Sequence, residues 1–174
     1  MARPLFLTEE ESSRAARFRF ERDRVRWTNA RSALRTVLGG HLGVEPLHVQ
    51  FTFGPHGKPA VAGVEFNLSH SREWAMIAVA GAIPVGIDIE AIREDVDIAK
   101  LLERLGERGL AGSMEELFHA WTRREATTKA LGIPLMEMPG EDVRAIDVEA
   151  PAGFAASVAL VGCGPAVRHR QYAG

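Results

Sequence analysis

Asp88 and Glu90 stand one residue apart at the end of the apolar run Val85-Gly86-Ile87-Asp88-Ile89-Glu90. On a strand, side chains alternate faces, so the two carboxylates share a face with their Cβ atoms roughly 7 Å apart, and Ile87 and Ile89 turn the other way. One face can then enter a core while the other offers oxygen ligands to a hard divalent cation such as Mg²⁺. Taken alone, the run reads just as well as a strand end with ordinary surface acids.

Three further groups of residues could do chemistry. Trp121, Glu125 and Lys129 are spaced by four, which on a helix puts them on one face, one turn apart. A Glu followed four residues later by Lys is also a common stabilising ion pair. The chain has only three lysines, Lys58, Lys100 and Lys129, in a sequence that otherwise uses arginine, which draws attention to the two that fall in motifs. His70, between Ser69 and Ser71, has an imidazole that could bind phosphate with help from the Ser69 hydroxyl, or could be a turn residue or a satisfied buried group. Gly57-Lys58-Pro59 reads first as turn chemistry. Arg14, Arg17, Arg19, Arg22, Arg24, Arg26, Arg31 and Arg35 crowd one early segment. They form either a solvated helix face or a surface for phosphate or an acidic partner. Without interleaved aromatics or a binding motif, nucleic acid is not the expected partner.

The elements that must position these residues follow from capping and periodicity. Thr8 with Glu11 forms a capping box and predicts a short helix from Glu9 to about Arg17. Trp27, Ala30, Leu34, Val37, Leu38 and Leu42 recur at three- and four-residue steps, predicting a longer helix from about Glu21 that Gly43 and Pro46 close. His48 to Phe53 alternates like a strand, Gly54 to Gly57 reads as a turn, and Lys58 to Val61 as an extended piece. Phe66 to Ser71 leads into Trp74 to Ala80, whose continuous apolar character predicts a buried strand, and Gly81 to Pro84 turns the chain into the Asp88 strand. Asp97 can cap a helix through about Leu105. Ser113 with Glu116 starts another, running to Leu131 and stopped by Gly132 and Pro134. Strands are expected at Val143 to Val148 and Phe154 to Val161, with an edge strand near Val167 to Tyr172.

At 174 residues and 46% hydrophobic content, the chain can bury a core as a globular protein. Its single cysteine, Cys163, excludes an intramolecular disulfide and any multi-cysteine zinc site, and lies in an apolar, Gly-flanked segment that makes an inert role the expectation. No apolar run is long enough to span a bilayer and the N-terminus has no signal-peptide pattern, so the expected setting is cytoplasmic, with no membrane partner. Trp74 to Pro84 and Phe154 to Pro165 share an order of apolar strand, Gly turn and Pro, each preceded by a helix ending Gly-Val-Glu-Pro or Gly-Ile-Pro. This faint repeat predicts an α+β fold of two similar halves, 1–90 and 91–174.

Taken together, Gly57-Lys58-Pro59, Phe66-Asn67-Leu68-Ser69-His70-Ser71, Val85-Gly86-Ile87-Asp88-Ile89-Glu90, and Trp121-Thr122-Arg123-Arg124-Glu125-Ala126 with Lys129 and Gly132 resemble the Sfp-type 4′-phosphopantetheinyl transferases, in family order. The resemblance runs from about Arg14 to the strand at Phe154 to Val161. It implies two pseudo-symmetric halves, each a small antiparallel sheet packed on a long helix, with the site between them in one compact monomeric unit. It implies Mg²⁺-dependent transfer of 4′-phosphopantetheine from coenzyme A to a serine of an acyl, peptidyl or aryl carrier protein. Carried over by position, Asp88, Glu90 and Glu125 would hold the metal, and Ser69, His70 and Lys129 would contact the coenzyme's phosphates. Lys58 and Arg14 would contact coenzyme A; Glu125 and Lys129 would be the catalytic residues, Glu125 accepting the serine proton while the cations offset charge on the phosphoryl group.

The sequence departs from the family pattern in two places. Arg124 stands where the family has Lys before the helix Glu, and the segment between Glu90 and Trp121 is short and lacks the family's Phe-x-x-x-Glu element. Two alternatives follow: a degenerate relative that binds coenzyme A or carrier protein without transfer, and a metal-dependent hydrolase of a nucleotide pyrophosphate. The second needs a water-activating group that the chain shows only in Glu125.

Overall fold

The computed structural model describes residues 5–54, 58–104, 106, 112–137 and 142–162. They form an α+β protein of small antiparallel sheets and helices, and the chain divides into two compact units, the second starting at Gly63.

In the first unit the Thr8 capping box forms as expected: the Thr8 hydroxyl accepts the Glu11 N–H, the Glu11 carboxylate accepts the Thr8 N–H, and helix α1 (Glu9–Ala15) follows. Helix α2 (Glu21–Leu42) buries Ala30, Leu34 and Leu38 and ends on Gly43, whose φ of 70° is the left-handed conformation that closes a helix. The expected strand from His48 to Phe53 is corrected. Pro46–His48 winds into a single 3₁₀ turn against α2, and only β1 (Thr52–Phe53) pairs, with β2 (Pro59–Ala60). Arg35 favours this turn: its guanidinium binds the Val49 carbonyl, an acceptor inside the expected strand, and the Pro46 carbonyl just before it, at 3.0 Å each.

Arg35 also donates to both oxygens of Glu11, at 2.7 and 3.0 Å, and Arg31 donates to the same carboxylate. Both guanidiniums lie over the Phe51 ring. Burial of Glu11 acts to raise its pKa, but the hydrogen bonds from Arg35, the Thr8 N–H and Arg31 outweigh it and hold the carboxyl down at about 2. The early arginine cluster is therefore partly an internal joint between α1 and α2. Of its other members, Arg24 pairs with Glu21, Arg22 with Asp23, and Arg14 lies over the Trp27 ring at 5.4 Å.

The second unit opens with a hairpin, β3 (Glu65–Ser71) and β4 (Trp74–Ala80), joined by a tight turn in which Arg72 has a φ of 52°. Strand β5 (Val85–Ala91) pairs with β7 (Phe154–Val161), which pairs with β6 (Val143–Asp147), all antiparallel, in the order β5-β7-β6. The expectation that Trp74 to Ala80 is buried is corrected. β4 belongs to a two-stranded ladder, and Trp74 remains 39% exposed.

Helices α3 (Ile98–Arg104) and α4 (Met114–Leu131) complete the unit. Asp97 accepts the Lys100 N–H at the start of α3. Ser113 and Glu116 form the capping box of α4, and Gly132, at φ 68°, ends it. Ile98 and Leu102 of α3 meet Phe118 of α4 and Ala155 of β7 in a core against which Trp121 packs. Burying Phe118 fully contributes about 1.5–3 kcal/mol. Further along α4, Ala126 and Ala130 lie against Ala159 of β7.

Among the described residues no helix is long and apolar enough to cross a membrane. Cys163, the expected edge strand near Val167 to Tyr172, the tip of the Gly54 to Gly57 turn and the end of the helix at Leu105 lie outside the described residues.

Candidate functional site

Strand β5 is covered on both faces, so the acids it carries are not ordinary surface acids: Asp88 is 3% exposed and Glu90 is partly buried. Gly86, Asp88 and Glu90 share one face by strand alternation, and α4 packs across that strand. The approach depends on Gly86. A Cβ there would stand 2.0 Å from the Ala126 carbonyl oxygen and 2.5 Å from the Ala130 nitrogen. With no side chain at 86, the helix comes close enough for Glu125 and Lys129 to reach the two strand acids.

Leu68, Ser69, His70, Asp88, Glu90, Glu125 and Lys129 line one cavity of about 240 Å³. This is below the ~300–1,000 Å³ typical of pockets for drug-sized ligands and suits a phosphate-sized group rather than a whole nucleotide. All of these residues belong to the second unit. Six of the eight site residues expected from sequence are thus brought together. The other two, Arg14 on α1 and Lys58 beside β2, belong to the first unit.

The hydrogen bonds inside the cavity are charge-assisted. Lys129 Nζ donates to Asp88 Oδ1 at 2.5 Å and to Ser69 Oγ at 3.3 Å, and lies 3.9 Å from Glu125 Oε2. Ser69 Oγ donates to Asp88 Oδ1 at 2.8 Å. The hydroxyl expected to serve phosphate is thus engaged with Asp88 and Lys129, while His70 lies exposed at the cavity wall. Burial pushes the Glu125 carboxyl above the ordinary carboxylate range; Lys129 works against that, and the neighbouring charges of Asp88 and Glu90 add to it.

One atom is left over. Asp88 Oδ2 is buried with no hydrogen-bond partner among the described residues. An uncompensated buried carboxylate oxygen is costly, and it marks a position where a cation would be favourable. Glu90 and Glu125, which line the same cavity, carry hard carboxylate oxygens of the type that Mg²⁺ takes. Among the described residues no three His, Cys, Asp or Glu side chains are drawn close enough to grip a metal ion between them; the cation standing among these acids is the Lys129 ammonium.

Arg124, the departure on α4, is buried at 5% exposure and serves the fold. It donates to the Leu135 and Glu137 carbonyls at 3.2 and 2.7 Å, tying down the chain after the helix. Both bonds leave one guanidinium nitrogen, Nη2.

Sequence reading missed how β3 is joined to β5. Asn67 Oδ1 accepts the Ile87 N–H at 2.9 Å, Ser69 donates to Asp88, and Ser71 Oγ contacts both Glu90 and the Ala91 N–H. The signal was present as three polar residues at i, i+2 and i+4 of one strand, which place their side chains on one face.

With this geometry in view, comparison with known proteins gives a consistent picture. The family model described as "4'-phosphopantetheinyl transferase, N-terminal" matches residues 3–82. The chain is 40% identical to the 4'-phosphopantetheinyl transferase HetI of a Nostoc species over 141 residues, which cover 72% of this chain and 60% of that protein. It is 31% identical to a phosphopantetheinyl transferase of a Thraustochytrium species, covering 73% and 53%, and 30% identical to a 4'-phosphopantetheinyl transferase of Bacillus subtilis, covering 76% and 67%. The matched part thus spans from about half to two thirds of the length of these relatives.

Proposed function

This chain belongs to the Sfp-type 4′-phosphopantetheinyl transferases, and on that premise we propose that it transfers 4′-phosphopantetheine from coenzyme A to a serine hydroxyl of a carrier protein. The observation that carries the reading is the convergence of Asp88, Glu90, Glu125 and Lys129 on one phosphate-sized cavity, from strand and helix positions up to 41 residues apart.

In this reading Asp88, Glu90 and Glu125 hold Mg²⁺, and the partnerless Asp88 Oδ2 is the observation that favours it. Bound there, the ion would neutralise charge developing on the pyrophosphate oxygens. Lys129 donates to a phosphate oxygen of the coenzyme in place of Asp88, and Ser69 and His70 add donors from β3. Glu125 accepts the proton of the attacking serine. The serine oxygen forms the new bond to the β-phosphorus, and the bond from that phosphorus to the bridging oxygen breaks, releasing adenosine 3′,5′-bisphosphate. The half-buried setting of the cavity strengthens each of these charge interactions relative to water. Arg14 and Lys58 contact coenzyme A, Arg14 at its 3′-phosphate.

The two-half reading, 1–90 and 91–174, belongs to the same proposal. Two features support it: among the described residues α2 and α4 are the two long helices, each closed by a left-handed glycine, and α2 is followed, after the short β1–β2 pair, by the antiparallel pair β3–β4, as α4 is by β6–β7.

The experiment is the intact mass of an unmodified carrier protein incubated with this protein, coenzyme A and Mg²⁺. Gain of one phosphopantetheine group on the carrier protein supports transfer. Coenzyme A binding by calorimetry with no mass gain on any acyl, peptidyl or aryl carrier protein would favour a binding protein instead.

A further inference from the structure

We propose that Ser71 is a positioning residue for Glu90, and that its hydroxyl sets the direction in which the Glu90 carboxylate faces the cavity. The inference rests on the reading that Asp88, Glu90 and Glu125 hold Mg²⁺.

Among the described residues, strand β5 pairs with β7 along one edge only. Its other edge presents backbone N–H groups that a strand ladder would normally satisfy. Here side chains of β3 do so: the Asn67 carbonyl oxygen takes the Ile87 N–H and the Ser71 hydroxyl oxygen takes the Ala91 N–H at 3.0 Å. The same Ser71 oxygen lies 3.0 Å from Glu90 Oε2.

The proton directions around Ser71 are fixed by chemistry. A backbone N–H can only donate and an ionised carboxylate can only accept, so the Ser71 oxygen accepts from Ala91 and its single proton goes to Glu90 Oε2. A serine hydroxyl ordinarily rotates to suit its surroundings. This one is held at its oxygen by Ala91 and has one place to put its proton. It is also buried, so water does not compete freely for either bond. Glu90 Oε2 is thereby held back toward β3, which leaves Oε1 as the oxygen to meet a cation. Ser69 makes the matching contact to Asp88 two residues earlier on the same face. Each strand acid thus has its own hydroxyl. Groups that orient metal ligands in this way typically affect affinity about 10–100-fold.

The test uses Mn²⁺ as the probe ion, because its free form gives a paramagnetic resonance signal that disappears on binding. Titrations compare the parent chain with Ser71→Ala, Ser71→Cys, Ser71→Thr and Asp88→Asn, each with a melting curve taken without metal. Cysteine nearly keeps the size of serine but donates weakly, whereas threonine keeps the hydroxyl. The expected result is about a tenfold loss of Mn²⁺ affinity in both the Ala and Cys variants, recovery to within about threefold in the Thr variant, and a much larger loss in Asp88→Asn. Parental affinity in Ser71→Ala or Ser71→Cys overturns the proposal. So does a loss in all three Ser71 variants that tracks their melting temperatures, since that pattern belongs to a purely structural residue. A parent that binds no Mn²⁺ overturns the metal reading itself, and the inference falls with it. That outcome is distinct from a parent that binds normally while its Ser71 variants do too.

Discussion

Gly86 lies directly beneath the backbone of Ala126, so closely that a Cβ on residue 86 would stand 2.0 Å from the Ala126 carbonyl oxygen. Because the obstruction is backbone, no rotamer change can relieve it. Gly86→Ala should therefore push α4 off β5, destabilise the protein by about 3 kcal/mol or more, and separate Lys129 from Asp88. Urea denaturation checks the first part. A variant as stable as the parent would show that α4 can shift without cost.

The Glu11 joint makes a prediction about pH. Its carboxyl has a folded pKa of about 2, depressed from 4.5, so the folded state favours the charged form. The stabilisation is fully present above about pH 4.5 and is lost as pH falls through that window toward 2. Glu11→Gln leaves Arg31 and Arg35 facing a neutral group and should cost about 3 kcal/mol at pH 7. The gap between variant and parent should narrow steadily below pH 4.5. A gap that stays constant from pH 7 to 2.5 in denaturation curves would contradict the assignment.

The turn between β3 and β4 stores strain at Arg72, whose φ of 52° is costly for a residue with a Cβ. Arg72→Gly removes that cost but gives the unfolded chain more freedom. The expected net effect is a gain of about 0.5–1 kcal/mol, read as a rise in melting temperature. A fall would mean that the Arg72 side chain contributes more than its backbone costs.

The sequence was most legible where a local rule decides. The two capping boxes and the glycines after Leu42 and Leu131 located three helices to within two residues. The alternation of Val85 to Glu90 placed both acids on one face, and strand Phe154 to Val161 was found at its observed bounds. Reading failed where a distant residue intervened. Nothing near His48 to Phe53 announces that Arg35 will take the carbonyls of Pro46 and Val49. Nor could spacing say which of eight arginines would meet Glu11, since Arg31 and Arg35 lie 20 and 24 residues away. The site was legible as separate motifs. Their convergence, the Gly86 contact and the pairing of Ser71 with Glu90 depend on how β3, β5 and α4 pack.

The central claim is that Asp88 serves transfer and is not merely a partner for Lys129. Asp88→Asn keeps the shape of the side chain and removes its charge, and its fold can be verified by circular dichroism. The measurement is the intact mass of a carrier protein after incubation with coenzyme A, Mg²⁺ and either the parent or this variant. The account predicts that the parent adds one phosphopantetheine group and that the folded variant adds almost none, a loss of about a hundredfold or more in rate. Transfer by Asp88→Asn at the parental rate would contradict it.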